Sequence, residues 1–172
     1  MASASCPPNW RHNPSAWYVR LPGIMLALTG FAIATYLGLY QLDIVAHVWE
    51  PFFGNGSWAI LRESWVAHLL PVPDALLGAA CYLLEAVAEG IGGRQRWRSL
   101  PWAVFTSGAM AAALGLSAGV LVLCQAFLFR AYCTLCLASA ACSIALLFFV
   151  IPEVWAAVEY RRRGAEALAC RG

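Results

Sequence analysis

Four long apolar stretches dominate the pattern of hydrophobic and polar residues along this chain. They span Leu21–Gln41, Asp74–Gly92, Pro101–Gln125 and Ala131–Ile151. Each stretch approaches the roughly 20 residues that a helix needs to cross the hydrocarbon core of a bilayer. The pattern predicts an all-α integral membrane protein, a bundle of four transmembrane helices that forms a single membrane domain over residues 1–172.

Prolines stand at two predicted helix boundaries. Pro101 begins the third stretch, where its missing N–H costs nothing, and Pro152 is expected to end the fourth. The segments 1–20 and 152–172 are then polar tails, and residues 42–73 form the one sizeable loop between helices.

Composition supports the membrane assignment and argues against one alternative. The chain is 62% hydrophobic and only 12% charged, whereas soluble domains carry about 25% charged residues. The net charge of +2 provides no basic surface for nucleic acid.

The arginines predict the orientation of the bundle. Nine of them precede the first stretch, join the second to the third or follow the fourth: Arg11, Arg20, Arg94, Arg96, Arg98, Arg161, Arg162, Arg163 and Arg171. Only Arg62 and Arg130 lie on the other side. By the positive-inside rule both termini should be cytoplasmic. The first 20 residues lack the short apolar core of a cleavable signal peptide, so the first helix is expected to be an uncleaved anchor.

The most informative motif is Cys133-Thr134-Leu135-Cys136, at the outer end of the fourth helix. Cysteines at positions i and i+3 share a helix face, with Cα atoms about 5–6 Å apart, so a disulfide can close. One thiolate can attack while the other resolves, which makes the pair a candidate redox centre on the side where disulfides persist. The alternative is two small apolar core residues that happen to be three apart.

The other cysteines carry less information. Cys124, in the last turn of the third helix, is a candidate third redox thiol because it lies just before the pair. Cys81 and Cys142 are expected to be small core residues, and Cys6 and Cys170 to be reduced thiols in the tails.

The loop after the first helix combines turns with an amphipathic pattern. A turn-rich run, Trp49–Ser57, precedes Trp58–Leu70, in which Trp58, Leu61, Trp65, Val66 and Leu69 recur at helical spacing. This predicts a short amphipathic helix that lies on the membrane surface or caps the cysteine pair, with simple interfacial anchoring as the alternative. His47 and His68 are too few to predict a metal site.

Three acidic residues fall within the second stretch. Glu89 is expected to pair with the nearby arginines at the interface, and Glu85 to face the bundle or be protonated. Asp74 begins the helix as an N-cap or a charge favoured by the helix dipole, at the level of the cysteine pair.

Taken together, these features resemble the vitamin K epoxide reductase family, from about Val19 to Ile151. The resemblance implies a bacterial inner-membrane thiol–quinone oxidoreductase whose substrate is menaquinone or ubiquinone. Cys136 would face the quinone and Cys133 would be its partner. The segment Pro71–Ala79 with Tyr82 resembles the family's approach to the second helix, with Asp74 in place of a quinone-binding asparagine. The implied quinone-binding residues are Asp74, Gly78 and Tyr82.

The chain departs from the family at three places. The segment Leu42–Pro73 contains no cysteine, whereas family members relay electrons through a loop pair to a thioredoxin-like partner. Ser57 stands in what looks like the position of one member of that pair, and Ala140 replaces a tyrosine one turn after the motif.

Two interpretations remain open, and a third is disfavoured. A partner's thiols reach Cys133 directly, or the scaffold serves as a non-catalytic small subunit or assembly factor of a larger respiratory or photosynthetic membrane complex. The DsbB family also combines four helices, a quinone and a CxxC motif, but its first cysteine pair lies in the loop that is cysteine-free here.

Overall fold

A computed structural model describes residue 10 and residues 12–54, 56–58, 60–61 and 73–169, with side chains up to residue 163. The regular secondary structure of this part of the chain is entirely helical, which confirms the all-α prediction. The elements are α1 (Trp17–Gln41), α2 (Gly56–Trp58), α3 (Asp74–Gly90), α4 (Arg96–Ser99), α5 (Pro101–Leu123) and α6 (Thr134–Ala169). A turn of π-helix, Cys124–Phe129, extends α5.

Within the described residues, three helices are long and apolar enough to cross a membrane. They are α1, α5 with its π-helical extension, and α6 up to Arg163. The most apolar windows of α5 and α6 are only 17% and 22% buried, so most of their side chains face outward, where lipid would lie. The chain is therefore a membrane protein. The remaining long helix, α3, has 17 residues and is shorter than these three.

Small residues let the helices approach one another closely. α1 packs against α3 and α6, and α5 packs against the same two helices. Their contact surfaces meet in a core built from Ala27, Ala34, Ala79, Tyr82, Ala86, Ala111, Leu114, Leu146 and Val150. Alanines at these positions allow the close backbone contact on which helix association in a membrane depends.

The prediction that Pro152 ends the last helix is wrong, because α6 continues through it to Ala169. Tertiary contacts beyond the proline account for the continuation. Glu153 is buried and its Oε2 lies 2.5 Å from Nη2 of Arg96. Ala156 and Ala157 pack against a buried cluster of α4 and α5. These contacts offset the backbone hydrogen bond that a proline removes, so much of the predicted tail 152–172 is helical.

Buried ion pairs join the helices at the end of the bundle opposite the cysteine pair. Arg96 contacts Glu89 at 3.3 Å as well as Glu153, and Nε of Arg20 lies 3.5 Å from Oε2 of Glu89. Glu89 is thus ion-paired as predicted, but inside the bundle and not at its surface. Glu85 is fully buried and accepts a hydrogen bond from Ser107 Oγ at 2.8 Å, which confirms that it faces the bundle.

The amphipathic helix predicted over Trp58–Leu70 falls largely on residues 59 and 62–70, which lie outside the described part of the chain. It stays a prediction, as do the expectations for Cys6 and Cys170.

Candidate functional site

The cysteine pair lies where α6 begins. Cys133 immediately precedes the helix and Cys136 lies in its first turn, and the two form a disulfide with Cα atoms 5.2 Å apart. The disulfide distance predicted from their spacing is thus confirmed. Cys133 is fully buried, whereas Cys136 is only partly buried. Of the two residues, Cys136 is the more exposed one.

Hydrogen bonds hold Cys133 from both sides. The backbone N–H of Cys136 donates to Cys133 Sγ at 3.2 Å, so this sulfur takes the place of an N-cap acceptor. The backbone N–H of Cys133 donates to Oε1 of Gln125 at 3.2 Å. Gln125 is buried and belongs to the π-helical turn at the end of α5, so this turn aims a polar side chain at the redox pair. Single π-helical turns are frequent at functional sites.

The Glu50 carboxylate occupies the N-terminus of α6. The backbone N–H of Thr134 lies 3.1 Å from both carboxylate oxygens, and the hydroxyls of Thr134 and Ser57 also donate to them. Partial burial, the largest single effect, acts to raise the pKa of Glu50. The hydrogen bonds from Ser57, Thr134 and the backbone of Phe53 outweigh it, so the pKa is lowered overall. Glu50 is therefore a carboxylate at neutral pH.

The loop is seated directly on the segment that precedes α6. A side chain at Gly56 would run into the backbone carbonyl of Tyr132, so only glycine allows this approach. The rings of Phe53 and Tyr132 lie 5.4 Å apart between centroids. Together with Glu50, these contacts place the loop beside the cysteine pair.

An apolar cluster surrounds the buried sulfur. It consists of Leu37, Tyr40, Ile60, Leu61 and Cys133, with Ala75, Leu135 and Cys136 among the residues packed against it. The cluster brings together α1, the loop and the beginnings of α3 and α6. Apolar side chains therefore enclose Cys133.

Of the predicted quinone-binding residues, Asp74 lies at the same end of the bundle as the cysteine pair. It begins α3, and the next residue, Ala75, packs against the apolar cluster. Oδ1 of Asp74 accepts a hydrogen bond from Nε2 of Gln41 at 2.5 Å, which ties α3 to the end of α1. Its side chain is partly exposed.

Gly78 and Tyr82 follow at one-turn intervals along α3. Gly78 borders open space, since an added Cβ would meet no atom within 4 Å. Tyr82 is buried, and its hydroxyl donates to the carbonyl of Ser139 at 2.7 Å and lies 2.5 Å from Ser143 Oγ. Tyr82 thus bonds to α6 one turn beyond Cys136, and its hydroxyl is already engaged.

The remaining cysteines of the described residues are unpaired. Cys124 is partly buried at the start of the π-helical turn, and Cys81 and Cys142 are partly buried within α3 and α6. In the part of the chain that the structure describes, no three His, Cys, Asp or Glu side chains lie close enough to hold a metal ion.

Two polar residues at the pair were not found by the sequence analysis. Glu50 is the only acidic residue in the turn-rich run, and Gln125 is a polar residue that closes an apolar stretch. Each is a polar residue in apolar or turn-rich surroundings, and this is the signal that the sequence offers. Glu50 is bonded to Thr134, 84 residues away, and Gln125 to Cys133, 8 residues away. The contact of Glu50 spans too much of the chain to leave a local pattern.

Most of the chain matches the model of a known protein family. The family model for the vitamin K epoxide reductase family matches residues 21–151, which include all four apolar stretches, the loop and the cysteine pair. The comparison with curated proteins gives no match.

Proposed function

The chain belongs to the vitamin K epoxide reductase family, and we propose that it exchanges electrons between its Cys133–Cys136 pair and a membrane quinone. Membership implies a membrane thiol–quinone oxidoreductase at the level of the family. The observation that carries the proposal is the disulfide at the beginning of α6, between the fully buried Cys133 and the partly buried Cys136, beside an apolar cluster. The quinone, menaquinone or ubiquinone, is the substrate.

The proposed step moves two electrons and two protons. In the dithiol state, Cys136 adds as a thiolate to a ring carbon of the quinone, forming a sulfur–carbon bond. Cys133 then attacks the Cys136 sulfur, the disulfide forms, and the electron pair of the broken sulfur–carbon bond stays on the ring. The protons of the two thiols end on the two quinol oxygens. A thioredoxin-like dithiol outside the membrane would return the pair to the reduced state by disulfide exchange.

The burial of the two cysteines supports this division of roles. Attack on a quinone is assigned to the more exposed residue, Cys136, whereas the buried Cys133 needs only to reach its neighbour. With no cysteine between Leu42 and Pro73, a partner's thiol would act on the pair without a relay.

We further propose that α3 is a fourth membrane span and that both termini lie on the cytoplasmic side of a bacterial inner membrane. The acidic residues inside α3 are compatible with a span because Glu89 is paired with Arg20 and Arg96, and Glu85 is bonded to Ser107. The arginine distribution supports the orientation, which sets the cysteine pair at the outer face.

Redox trapping in native membranes tests the function. The pair is first reduced, a quinone is added, and free thiols are then tagged after acid quenching. We expect Cys133 and Cys136 to become protected from the tag when quinone is present, while Cys81 and Cys142 react equally with and without it. A pair that stays reduced with both menaquinone and ubiquinone would contradict the proposal. It would favour the alternative, a non-catalytic subunit of a larger membrane complex.

Asp74 provides a prediction about the quinone site. A carboxyl group at this position can deliver a proton or accept a hydrogen bond, and an asparagine can still donate or accept one. We therefore expect Asp74→Asn to keep the KM for quinone within about threefold, and Asp74→Leu to raise it about tenfold, the effect of one lost hydrogen bond. Steady-state kinetics over a range of quinone concentrations gives both values. Equal KM values for the two variants would remove Asp74 from the site.

A further inference from the structure

We propose that Glu50 is a positioning residue of the redox pair, whose carboxylate at the N-terminus of α6 disfavours the Cys133 thiolate and so biases the pair toward the disulfide. The inference rests on the proposed function only in taking Cys133 and Cys136 as a pair that is oxidised and reduced. It concerns the thiol–disulfide equilibrium itself and needs no quinone.

The first step of the argument is what a helix N-terminus does to a cysteine. Its free N–H groups and the helix dipole favour negative charge, and they lower the pKa of a thiol placed there. A stabilised thiolate favours the reduced form, so a pair of this kind is readily reduced. Cys133 is placed where it would receive this stabilisation, because its sulfur accepts the N–H of Cys136.

The second step is that the N-terminus of α6 already carries an anion. The Thr134 N–H, which would otherwise be free to stabilise a thiolate, donates to both oxygens of Glu50. Thr134 is the residue next to Cys133, so the carboxylate and a Cys133 thiolate would be two like charges on one helix end. Like charges at short range disfavour ionisation of the second group.

The third step is that Glu50 is fixed in place. Four hydrogen bonds from Thr134 and Ser57 hold its side chain, and Ser57 is itself buried. These donors stabilise the charged form, so the carboxylate remains ionised over the pH range in which a thiol titrates. The charge therefore acts on Cys133 throughout that range.

Other titratable groups lie at this end of the bundle and are the same in the variants below. Tyr40 of α1 belongs to the apolar cluster around Cys133, and Cys136 packs against it. Asp74 begins α3, and Arg130 precedes α6. Because these groups stay constant, a change confined to Glu50 isolates the effect of its carboxylate.

The test compares the full-length wild type with Glu50→Gln, purified in detergent without quinone and equilibrated in glutathione redox buffers. Glutamine keeps an oxygen acceptor for Thr134 but removes the charge. We expect the apparent pKa of Cys133, from the ultraviolet absorbance of its thiolate against pH with Cys136→Ser in both backgrounds, to fall by about one unit. At pH 9 the equilibrium constant for reduction should rise severalfold, toward the limit of about tenfold, or about 30 mV for the two-electron couple, that applies once the thiol is fully ionised. At pH 7 the rise should be smaller, because only the thiolate senses the charge and it is scarce below its pKa.

Two further variants separate charge from structure. Glu50→Asp keeps the charge while shortening the side chain, and it should leave the equilibrium near the wild-type value. Asp43→Asn removes an exposed carboxylate from the same loop and should also leave the equilibrium constant unchanged.

Equal equilibrium constants for wild type and Glu50→Gln at pH 9 would overturn the proposal. So would a change of the same size at pH 7 and pH 9, which a merely structural role would produce. A shift without any oxidation by quinone would leave this inference standing and contradict the proposed function.

Discussion

Cys136→Ser is expected to abolish quinone-dependent oxidation of the dithiol, lowering its rate by about three orders of magnitude or more. A serine hydroxyl remains protonated at neutral pH, is a far weaker nucleophile than a thiolate and cannot close a disulfide. Cys136 is also the more exposed of the two cysteines, whereas Cys133 is fully buried. The rate is measured as quinol formation by the purified protein with a chemical dithiol as electron donor.

Cys142→Ser provides the matched control for this variant. Cys142 belongs to the same helix, is also partly buried and is not in a disulfide, so its replacement should leave the rate within about twofold. Cys133→Ser should stop turnover as well, but at a later stage, with quinone bound covalently to Cys136 and detectable by mass spectrometry. If Cys136→Ser retained a tenth of the wild-type rate, Cys136 would not be the attacking sulfur.

Arg96→Ala is expected to destabilise the fold by about 3–5 kcal/mol, the cost of leaving a buried charge without its partner. Arg96 is fully buried and holds both Glu89 and Glu153, while Nη1 donates to the carbonyl of Ala88. Its removal leaves two carboxylates inside the bundle with Arg20 as their remaining basic partner among these ion pairs. Unfolding in a mixed-micelle titration, followed by helicity, gives the free-energy difference.

Arg163→Ala serves as the control because its ion pair with Glu159 lies at the surface of α6, one turn apart. Exposed pairs of this kind contribute little, so we expect a change of no more than about 0.5 kcal/mol. The double variant Arg96→Met with Glu153→Leu should be less destabilised than Arg96→Ala, since it removes one of the unpaired charges. An Arg96→Ala variant as stable as Arg163→Ala would mean that the buried ion pairs do not hold the helices together.

The sequence alone was sufficient for the all-helical class and for the disulfide distance between Cys133 and Cys136. Long apolar stretches specify membrane helices almost regardless of tertiary context, because a bilayer forces the backbone to satisfy its hydrogen bonds within each segment. The distance between Cys133 and Cys136 is predictable for an equally local reason, because the spacing of three residues along a helix brings the two sulfurs together.

Two of the features that could not be predicted depend on residues far apart in the chain. Pro152 is a strong local signal for a helix end, but Glu153 is anchored to Arg96, 57 residues earlier, and the helix continues. Glu50 reaches the N-terminus of α6 across 84 residues. Neither contact alters a periodicity or a motif, so only the packing of the complete bundle reveals it.

The buried ion pairs also bear on how the protein reaches the membrane. α3 is short and carries Asp74, Glu85 and Glu89, so on its own it is a poor substrate for the translocon. Arg20 of α1 is synthesised before α3. Its guanidinium donates to the backbone carbonyls of Glu89, Ile91 and Gly92 at the end of α3. The proposed fourth span, α3, should therefore enter the lipid alongside α1. Arg96 meets its second carboxylate, Glu153, only after the first half of α6 has been synthesised, so this ion pair forms only late in translation.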